Sequence, residues 1–208
     1  MIDPFAVPLS AFAARLRAVT PNRLTGLSVV LALGAAALFA TGQLVAGALV
    51  YQLSFVADCM DGKVASIRQS RSSWGGFFDV SGDTVRFVAC FTSLALVSVG
   101  GKVDAWHLLP VLLYPCARFG LLGMAEARPA VGEPRGMMAV PARPWDVLRA
   151  APGRATKPGT TVDAEAVALT LGPLTGLTLE GFALAALLHL AHAAVLFAGS
   201  LRAAASGE

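Results

Sequence analysis

Six apolar stretches, each close to the length that a helix needs to cross a bilayer, recur along most of this chain. The hydrocarbon core of a bilayer is about 30 Å thick, which corresponds to roughly 20 apolar residues in an α-helix. The stretches run approximately over residues 24–40, 44–61, 78–99, 106–125, 164–177 and 181–201. No strand-like alternation interrupts them, so they predict an all-α integral membrane protein with six transmembrane helices.

The low content of charged residues supports a membrane location. Only 14% of the residues are charged and 56% are hydrophobic, whereas about a quarter of the residues in a typical soluble domain are charged. A water-soluble fold is therefore not expected. Because the apolar stretches cover nearly the whole chain, we expect residues 1–208 to form a single membrane domain. The lipid bilayer is an expected partner, and no nucleic-acid partner is expected.

The segment before the first apolar stretch has the pattern of an amphipathic helix. Asp3 can cap such a helix, and Pro4 suits its first turn. The apolar face would consist of Phe5, Leu9, Phe12 and Leu16, and the opposite face would carry Arg15 and Arg17. This pattern predicts an interfacial helix over residues 1–20 that lies on the membrane surface. A frayed tail is the alternative.

The distribution of Lys and Arg predicts the orientation in the membrane. Thirteen of these residues lie before the first stretch, in the second and fourth connections, or after the sixth stretch. The opposite connections contain only Lys102, and Arg86 and Arg118 lie inside apolar stretches. Since basic residues are enriched in short cytoplasmic loops, we expect both termini and the second and fourth connections on the cytoplasmic side of the cell membrane.

The fourth connection, residues 127–161, is long and rich in Pro, Gly and Arg. Loops of this length are uncommon unless they are functional or disordered. The sequence leaves two interpretations open, a mobile lid over a cytoplasmic site and a solvated connector.

Four aspartates flank the second connection. Asp58 and Asp61 are three residues apart at the cytoplasmic end of the second stretch, and Asp79 and Asp83 are four apart at the start of the third. Residues at these spacings share one face of a helix. The two helix ends should be antiparallel neighbours, so we expect the two acidic faces to meet.

Such a cluster needs positive charge. A carboxylate deep in a bilayer costs about 2.5 to 3.5 kcal/mol on insertion scales, and neighbouring carboxylates also repel one another. Arg86 lies three residues after Asp83 and would neutralise just one of them. Oxygen ligands favour Mg²⁺, Mn²⁺ or Ca²⁺. Two bridged ions would suit four carboxylates and would resemble two-metal sites for phosphoryl transfer.

Small residues accompany the aspartates. They are Gly62, Ala65, Gly75 and Gly76. Small side chains permit either tight contact between membrane helices or close approach of a flat ligand to the backbone. For each glycine alone, ordinary helix packing is the simpler explanation, but the fixed spacing from the aspartates favours a role in the site.

This spacing resembles the signature of the CDP-alcohol phosphotransferase (CDP-alcohol phosphatidyltransferase) family. The matching residues are Asp58, Asp61, Gly62, Ala65, Gly75, Asp79 and Asp83. The departure is Ser66, which stands where the family usually has an Arg that contacts a phosphate; either Arg68 or Arg71 substitutes for it, or phosphate binding is altered. More loosely, a ThrProAsn-x-LeuThr stretch at residues 20–25 is similar as well.

The resemblance implies an enzyme that transfers a phosphate-linked group from a CDP-alcohol to an acceptor hydroxyl and releases CMP. It implies that Asp58, Asp61 and Asp79 bind metal on the pyrophosphate, with Mg²⁺ or Mn²⁺ as cofactor and two ions in the site. Asp83 would be the general base and would also touch the second ion. The implied CDP-binding residues are Asp58, Asp61, Gly62, Ala65, Ser66, Arg68, Arg71, Gly75 and Asp79. A homodimer is implied too.

Residues on the acceptor side carry weaker signals. Arg118 lies inside the fourth stretch, where it would hold an acceptor phosphate or pair with Glu126 or an aspartate. The resemblance implies that Arg154 and Lys157, before the fifth stretch, bind a phosphorylated acceptor; a solvated basic loop is the alternative.

The preferred substrate is CDP-diacylglycerol, because donor and product would then both partition into the bilayer during phospholipid biosynthesis. One alternative is a soluble CDP-alcohol donor with a lipid acceptor, and another is an inactive relative with a scaffolding role, suggested by Ser66. A third is a divalent-cation transporter. An ion path should continue polar groups through the membrane, whereas the outer halves of the second and third stretches are apolar.

Overall fold

The structure, a computed structural model, describes residues 3–70, 72–102, 104–127 and 161–206. Every regular element within these ranges is helical, which confirms the all-α prediction. The elements are α1 (Asp3–Ala13), α2 (Pro21–Ala40), α3 (Leu44–Ile67), α4 (Ser73–Val99), α5 (Ala105–Ala127), α6 (Thr161–Ala166), a π-helical turn (Val167–Leu171), α7 (Gly172–Thr175) and α8 (Thr178–Ser206). The predicted lid or connector, together with Arg71, Arg154 and Lys157, lies outside the described residues.

Several of these helices are long and apolar enough to cross a membrane, so the chain is a multi-pass membrane protein. Four such segments occur in the described part of the chain: Pro21–Ala40, Leu44–Ile67, Trp74–Val99 and Thr178–Val195. Helix α5 covers the fourth predicted span. The fifth predicted span is divided among α6, the π-helical turn and α7, and it ends at Gly176, whose φ is +75°. Six spans therefore remain a prediction.

The chain divides into two compact units, with the boundary at Val97 near the end of α4. The first contains α1 to α4, and the second contains the described helices from α5 onward. Both consist of apolar helices, and the expectation of a single membrane domain stays a prediction.

Helices α2 and α3 form the centre of the first unit. Thr20 caps α2 by accepting a hydrogen bond from the backbone N–H of Arg23. Gly42, with φ of +76°, turns the chain back into α3. The Ser54 hydroxyl then donates to the backbone carbonyl of Ser28 at 2.8 Å. The buried contact surface of the two helices is built mainly from small residues, which allows their backbones to approach closely.

Gly47 provides a test of this close packing. A Cβ atom added there would lie 2.5 Å from the ring of the buried Phe39, so we expect Gly47→Ala to destabilise the protein by about 1–3 kcal/mol through overpacking. Gly26→Ala is the matched control, because its Cβ would meet nothing within 4 Å. Thermal unfolding in detergent should separate the two variants, and equal midpoints would contradict the packing.

Helix α1 is shorter than the predicted interfacial segment. It ends at Ala13, which is buried against Leu24 and Val64. Leu9 and Phe12 are exposed, as expected of a face that meets lipid. The Arg68 side chain donates hydrogen bonds to backbone carbonyls at the end of α1 and just after it, including that of Leu16 at 2.7 Å. A cation at this position also complements the helix dipole. The placement of α1 on a membrane surface remains a prediction.

Helix α4 begins at a capped end and packs against α2. The Ser72 hydroxyl accepts the backbone N–H of Gly75 at 3.0 Å. Farther along, the Cys90 thiol contacts the backbone carbonyl of Ala32 at 3.2 Å. Gly82 approaches α2 so closely that an added Cβ would lie 3.2 Å from Thr25. These contacts fix the acidic start of α4 beside α2.

The second unit has an aromatic and polar interior. The Tyr114 ring of α5 stacks on His189 of α8 with centroids 5.7 Å apart and on Phe182 with centroids 5.8 Å apart. The imidazole of His189 is fully buried. Asp104 precedes α5 and accepts hydrogen bonds from the ring and the backbone N–H of His107, and the ring contact lowers the pKa of the Asp104 carboxyl.

Candidate active site

Helices α3 and α4 bring three of the four predicted aspartates together. Asp58 and Asp61 come from the last part of α3, and Asp79 comes from the first part of α4. One carboxylate oxygen from each lies within 4.8 Å of the others. Asp83, one turn farther along α4, does not belong to this group. The spacing of three residues puts Asp58 and Asp61 on one face of α3, and Asp79 of α4 lies beside that face.

Asp61 is held in place by two donors. The Thr25 hydroxyl, on α2, donates to Asp61 Oδ2 at 2.5 Å. The backbone N–H of Gly62 donates to Asp61 Oδ1 at 2.5 Å. Both Thr25 and Asp61 are buried. A carboxylate fixed in this way is suited to bind a cation because it does not need to reorient.

The two carboxylate oxygens of Asp58 have different surroundings. Its Oδ2 lies 3.3 Å from Arg86 Nη2. Its Oδ1 is buried and has no hydrogen-bond partner among the described residues. An orphaned buried carboxylate oxygen is costly. The Asp58 carboxylate is one of the three that converge, so an oxygen without a hydrogen-bond partner is available there as a ligand for a hard divalent cation.

Arg86 contacts more than one aspartate, contrary to the expectation that it would neutralise just one. Besides its ion pair with Asp58, its Nη2 donates to Asp83 Oδ1. The side chain is only 2% exposed. Its guanidinium carbon also lies 4.8 Å from the ring centroid of Phe55 and 5.7 Å from that of Tyr51. The sequence spacing showed the contact within α4, but the contact with α3 depends on how the helices pack.

A cavity of about 730 Å³ adjoins the cluster. Its lining includes predicted CDP-binding residues: Asp61, Gly62, Ala65, Arg68, Gly75 and Asp79. It also includes residues that sequence reasoning did not assign to a site: Thr20, Pro21, Asn22, Thr25, Ser70 and Ser72. Those from α2 belong to the ThrProAsn-x-LeuThr stretch, which was the signal available in the sequence. Added Cβ atoms at Gly62 and Gly76 would meet nothing within 4 Å.

Two predicted CDP-binding residues, Ser66 and Arg68, have other partners in this structure. The Ser66 hydroxyl donates to the backbone carbonyl of Gly62 at 2.8 Å, within its own helix. Arg68 lines the cavity, while its guanidinium contacts backbone carbonyls that follow α1. Two residues were predicted to substitute for the family Arg. Of these, Arg68 lies within the described part of the chain and lines the cavity.

Arg118 pairs with Glu165, which sequence reasoning did not single out as its partner. Arg118 Nε lies 2.7 Å and Nη2 lies 2.5 Å from Glu165 Oε1. Both residues are buried. This contact links α5 to α6 within the second unit and favours the structural interpretation of Arg118. The side chain of Glu126, a predicted partner, lies outside the described residues.

The chain belongs to the CDP-alcohol phosphatidyltransferase family. The model of that family matches residues 18–192, which include the aspartates and most of the described helices of both units. The chain is therefore a membrane transferase. The family transfers a phosphatidyl group from a CDP-alcohol to an acceptor alcohol in phospholipid synthesis. Its members generally use divalent metals. No match was found among curated proteins.

Proposed function

We propose that this protein transfers the phosphatidyl group of CDP-diacylglycerol to an acceptor hydroxyl and releases CMP, at the cytoplasmic face of the cell membrane. The observation that carries the proposal is the convergence of three carboxylates within 4.8 Å beside a cavity of about 730 Å³. Family membership favours this activity over a divalent-cation transporter.

Asp58, Asp61 and Asp79 would hold the divalent cation, Mg²⁺ or Mn²⁺. The orphaned oxygen of Asp58 and the fixed carboxylate of Asp61 support this assignment. When bound, such an ion supplies charge stabilisation to the pyrophosphate and to the departing CMP. The protein contributes the preorganised ligand geometry.

Asp83 is the proposed general base. It would accept the proton of the acceptor hydroxyl as the new bond from the acceptor oxygen to phosphorus forms and the bond from phosphorus to the CMP oxygen breaks. Its side chain is 39% exposed, so an incoming acceptor can reach it. Arg86 orients the carboxylate by contacting Oδ1.

The cavity would receive the nucleotide. The open space at Gly62 and the small side chain of Ala65 support close approach of the cytidine to α3. Arg68, with Arg71 as the other predicted substitute, would contact a phosphate in place of the family Arg. Because Ser66 donates to its own helix, we do not assign it a phosphate contact.

The proposal also covers the residues that bind the acceptor, the membrane topology and the oligomeric state. Arg154, Lys157 and Arg118 are the proposed contacts of a phosphorylated acceptor, with Arg118 the weakest because Glu165 already pairs with it. The apolar stretches support six spans, and the distribution of basic residues supports both termini and the site facing the cytoplasm. A homodimer is proposed from the family resemblance alone.

The test is CMP release by the purified protein in detergent. The donors would be CDP-diacylglycerol and soluble CDP-alcohols, each with a panel of acceptors: glycerol phosphate, an inositol phosphate, serine, a phospholipid and a lipid alcohol. We expect release with CDP-diacylglycerol and one acceptor class, and none from Asp79→Asn. Release from a soluble donor onto the lipid alcohol would reverse the proposed roles. Release equal to that of Asp79→Asn under every condition would exclude the activity.

Thr25 should tune the affinity for metal. Thr25→Val removes the hydroxyl that fixes Asp61, so we expect the Mg²⁺ concentration for half-maximal CMP release to rise about 10- to 100-fold, as for other groups that orient metal ligands. Thr25→Ser keeps the hydroxyl and should remain close to wild type. Identical Mg²⁺ titrations for the two variants would show that the hydrogen bond does not support metal binding.

A further inference from the structure

We propose that Arg86 is a built-in cation that takes the place of a second divalent ion between Asp58 and Asp83. The protein alone then binds one divalent ion, on Asp58, Asp61 and Asp79. This inference rests on the proposed function and changes the predicted two-ion arrangement. It makes Arg86 a positioning residue for the proposed base.

The contacts of Arg86 occupy the place that a second ion would need. A second ion shared by Asp58 and Asp83 would have to lie between the two carboxylates. Nη2 of Arg86 already contacts Oδ2 of Asp58 and Oδ1 of Asp83. The guanidinium therefore bridges α3 and α4 at Asp83, the carboxylate that was expected to touch the second ion. A divalent ion placed there as well would be repelled by the guanidinium.

The surroundings of Arg86 keep it in this position. The side chain is 2% exposed, and its guanidinium carbon lies 4.8 Å from the Phe55 ring centroid. An aromatic face attracts a desolvated cation. Displacing Arg86 would remove it from two carboxylates and from this ring at once, and a buried charge deprived of its partners is strongly disfavoured.

Asp58 separates the two cation positions. Its Oδ2 faces Arg86, whereas its Oδ1 is buried, has no hydrogen-bond partner among the described residues and belongs to a carboxylate of the convergent group. Oδ2 thus pairs with the guanidinium, and Oδ1 is available to bind the ion shared with Asp61 and Asp79. Asp83 stays outside that group of ligands and is held by Arg86 as a carboxylate that can accept a proton.

The test counts Mn²⁺ ions bound to the full-length protein in detergent, without nucleotide, by electron paramagnetic resonance of free Mn²⁺. We expect one tightly bound ion per chain in the wild type and in Arg86→Lys, which keeps the charge. Arg86→Met should bind a second ion, because Asp58 and Asp83 are then released to an external cation. A general loss of stability would not increase the number of bound ions.

Two tightly bound ions in the wild type, or one in a folded Arg86→Met variant, would overturn the inference. If Arg86→Met does not fold, Asp83→Asn gives an independent result: we expect it to keep the single ion, whereas Asp79→Asn should lose it. Loss of the ion in Asp83→Asn would place Asp83 among the ligands and overturn the inference as well. Absence of Mn²⁺ from the wild type would instead contradict the proposed metal-dependent function itself.

Discussion

Replacing Asp83 with Asn is expected to reduce the rate constant for CMP release about 10²- to 10⁴-fold, the usual contribution of a positioned general base. Asparagine keeps the size of the side chain but does not accept the proton of the acceptor hydroxyl. The measurement is kcat at saturating donor and acceptor, with the substrate pair that supports release in the wild type.

Asp104→Asn is the control for this substitution. Asp104 is exposed and precedes α5, in the other compact unit, so its variant should release CMP at nearly the wild-type rate. If Asp83→Asn retained kcat within a few-fold of the wild type, Asp83 would not be the base. Since Asp83 also contacts Arg86, thermal unfolding of the variant should be recorded beside the kinetics.

Replacing Glu165 with Gln is expected to lower the free energy of unfolding by about 3–5 kcal/mol, because the buried charge of Arg118 would lose its ion pair with the Glu165 carboxylate. Both side chains are at most 4% exposed in the structure, so water cannot replace the lost contact. Thermal unfolding in detergent measures the change. Glu180→Gln is the control, because Glu180 lies at an exposed position of α8. This variant should change the free energy of unfolding by no more than about 0.5 kcal/mol.

A double variant distinguishes the two roles considered for Arg118. Replacing both Arg118 and Glu165 with Leu removes both buried charges, so much of the lost stability should return. If Glu165→Gln were as stable as the wild type, the ion pair would not matter to the fold. A stable double variant that fails only with phosphorylated acceptors would assign Arg118 to the acceptor site.

The aspartate cluster was predictable from the sequence because its geometry is mostly local. Spacings of three and four residues put each pair on one helix face, and a short connection makes the two helices neighbours. Three of the four residues converge as expected. The exception is Asp83, which contacts Arg86. Arg86 also contacts Asp58 on α3, and the sequence spacing does not predict that contact between helices.

Other features depended on tertiary packing in the same way. Glu165 pairs with Arg118 across 47 residues of sequence, and no periodicity indicates such a partner. Thr25 reaches Asp61 across 36 residues, although the stretch that contains it was recognised. The break in the fifth predicted span was signalled by Gly172, Pro173 and Gly176, whereas the π-helical turn before it had no such signal.

The central claim, that the three convergent carboxylates hold a divalent ion needed for transfer, is tested most directly by removing the ion. Purified protein treated with a chelator should release CMP no faster than Asp79→Asn, and added Mg²⁺ or Mn²⁺ should restore the wild-type rate but leave that variant inactive. Undiminished CMP release by the chelated wild type would contradict the account.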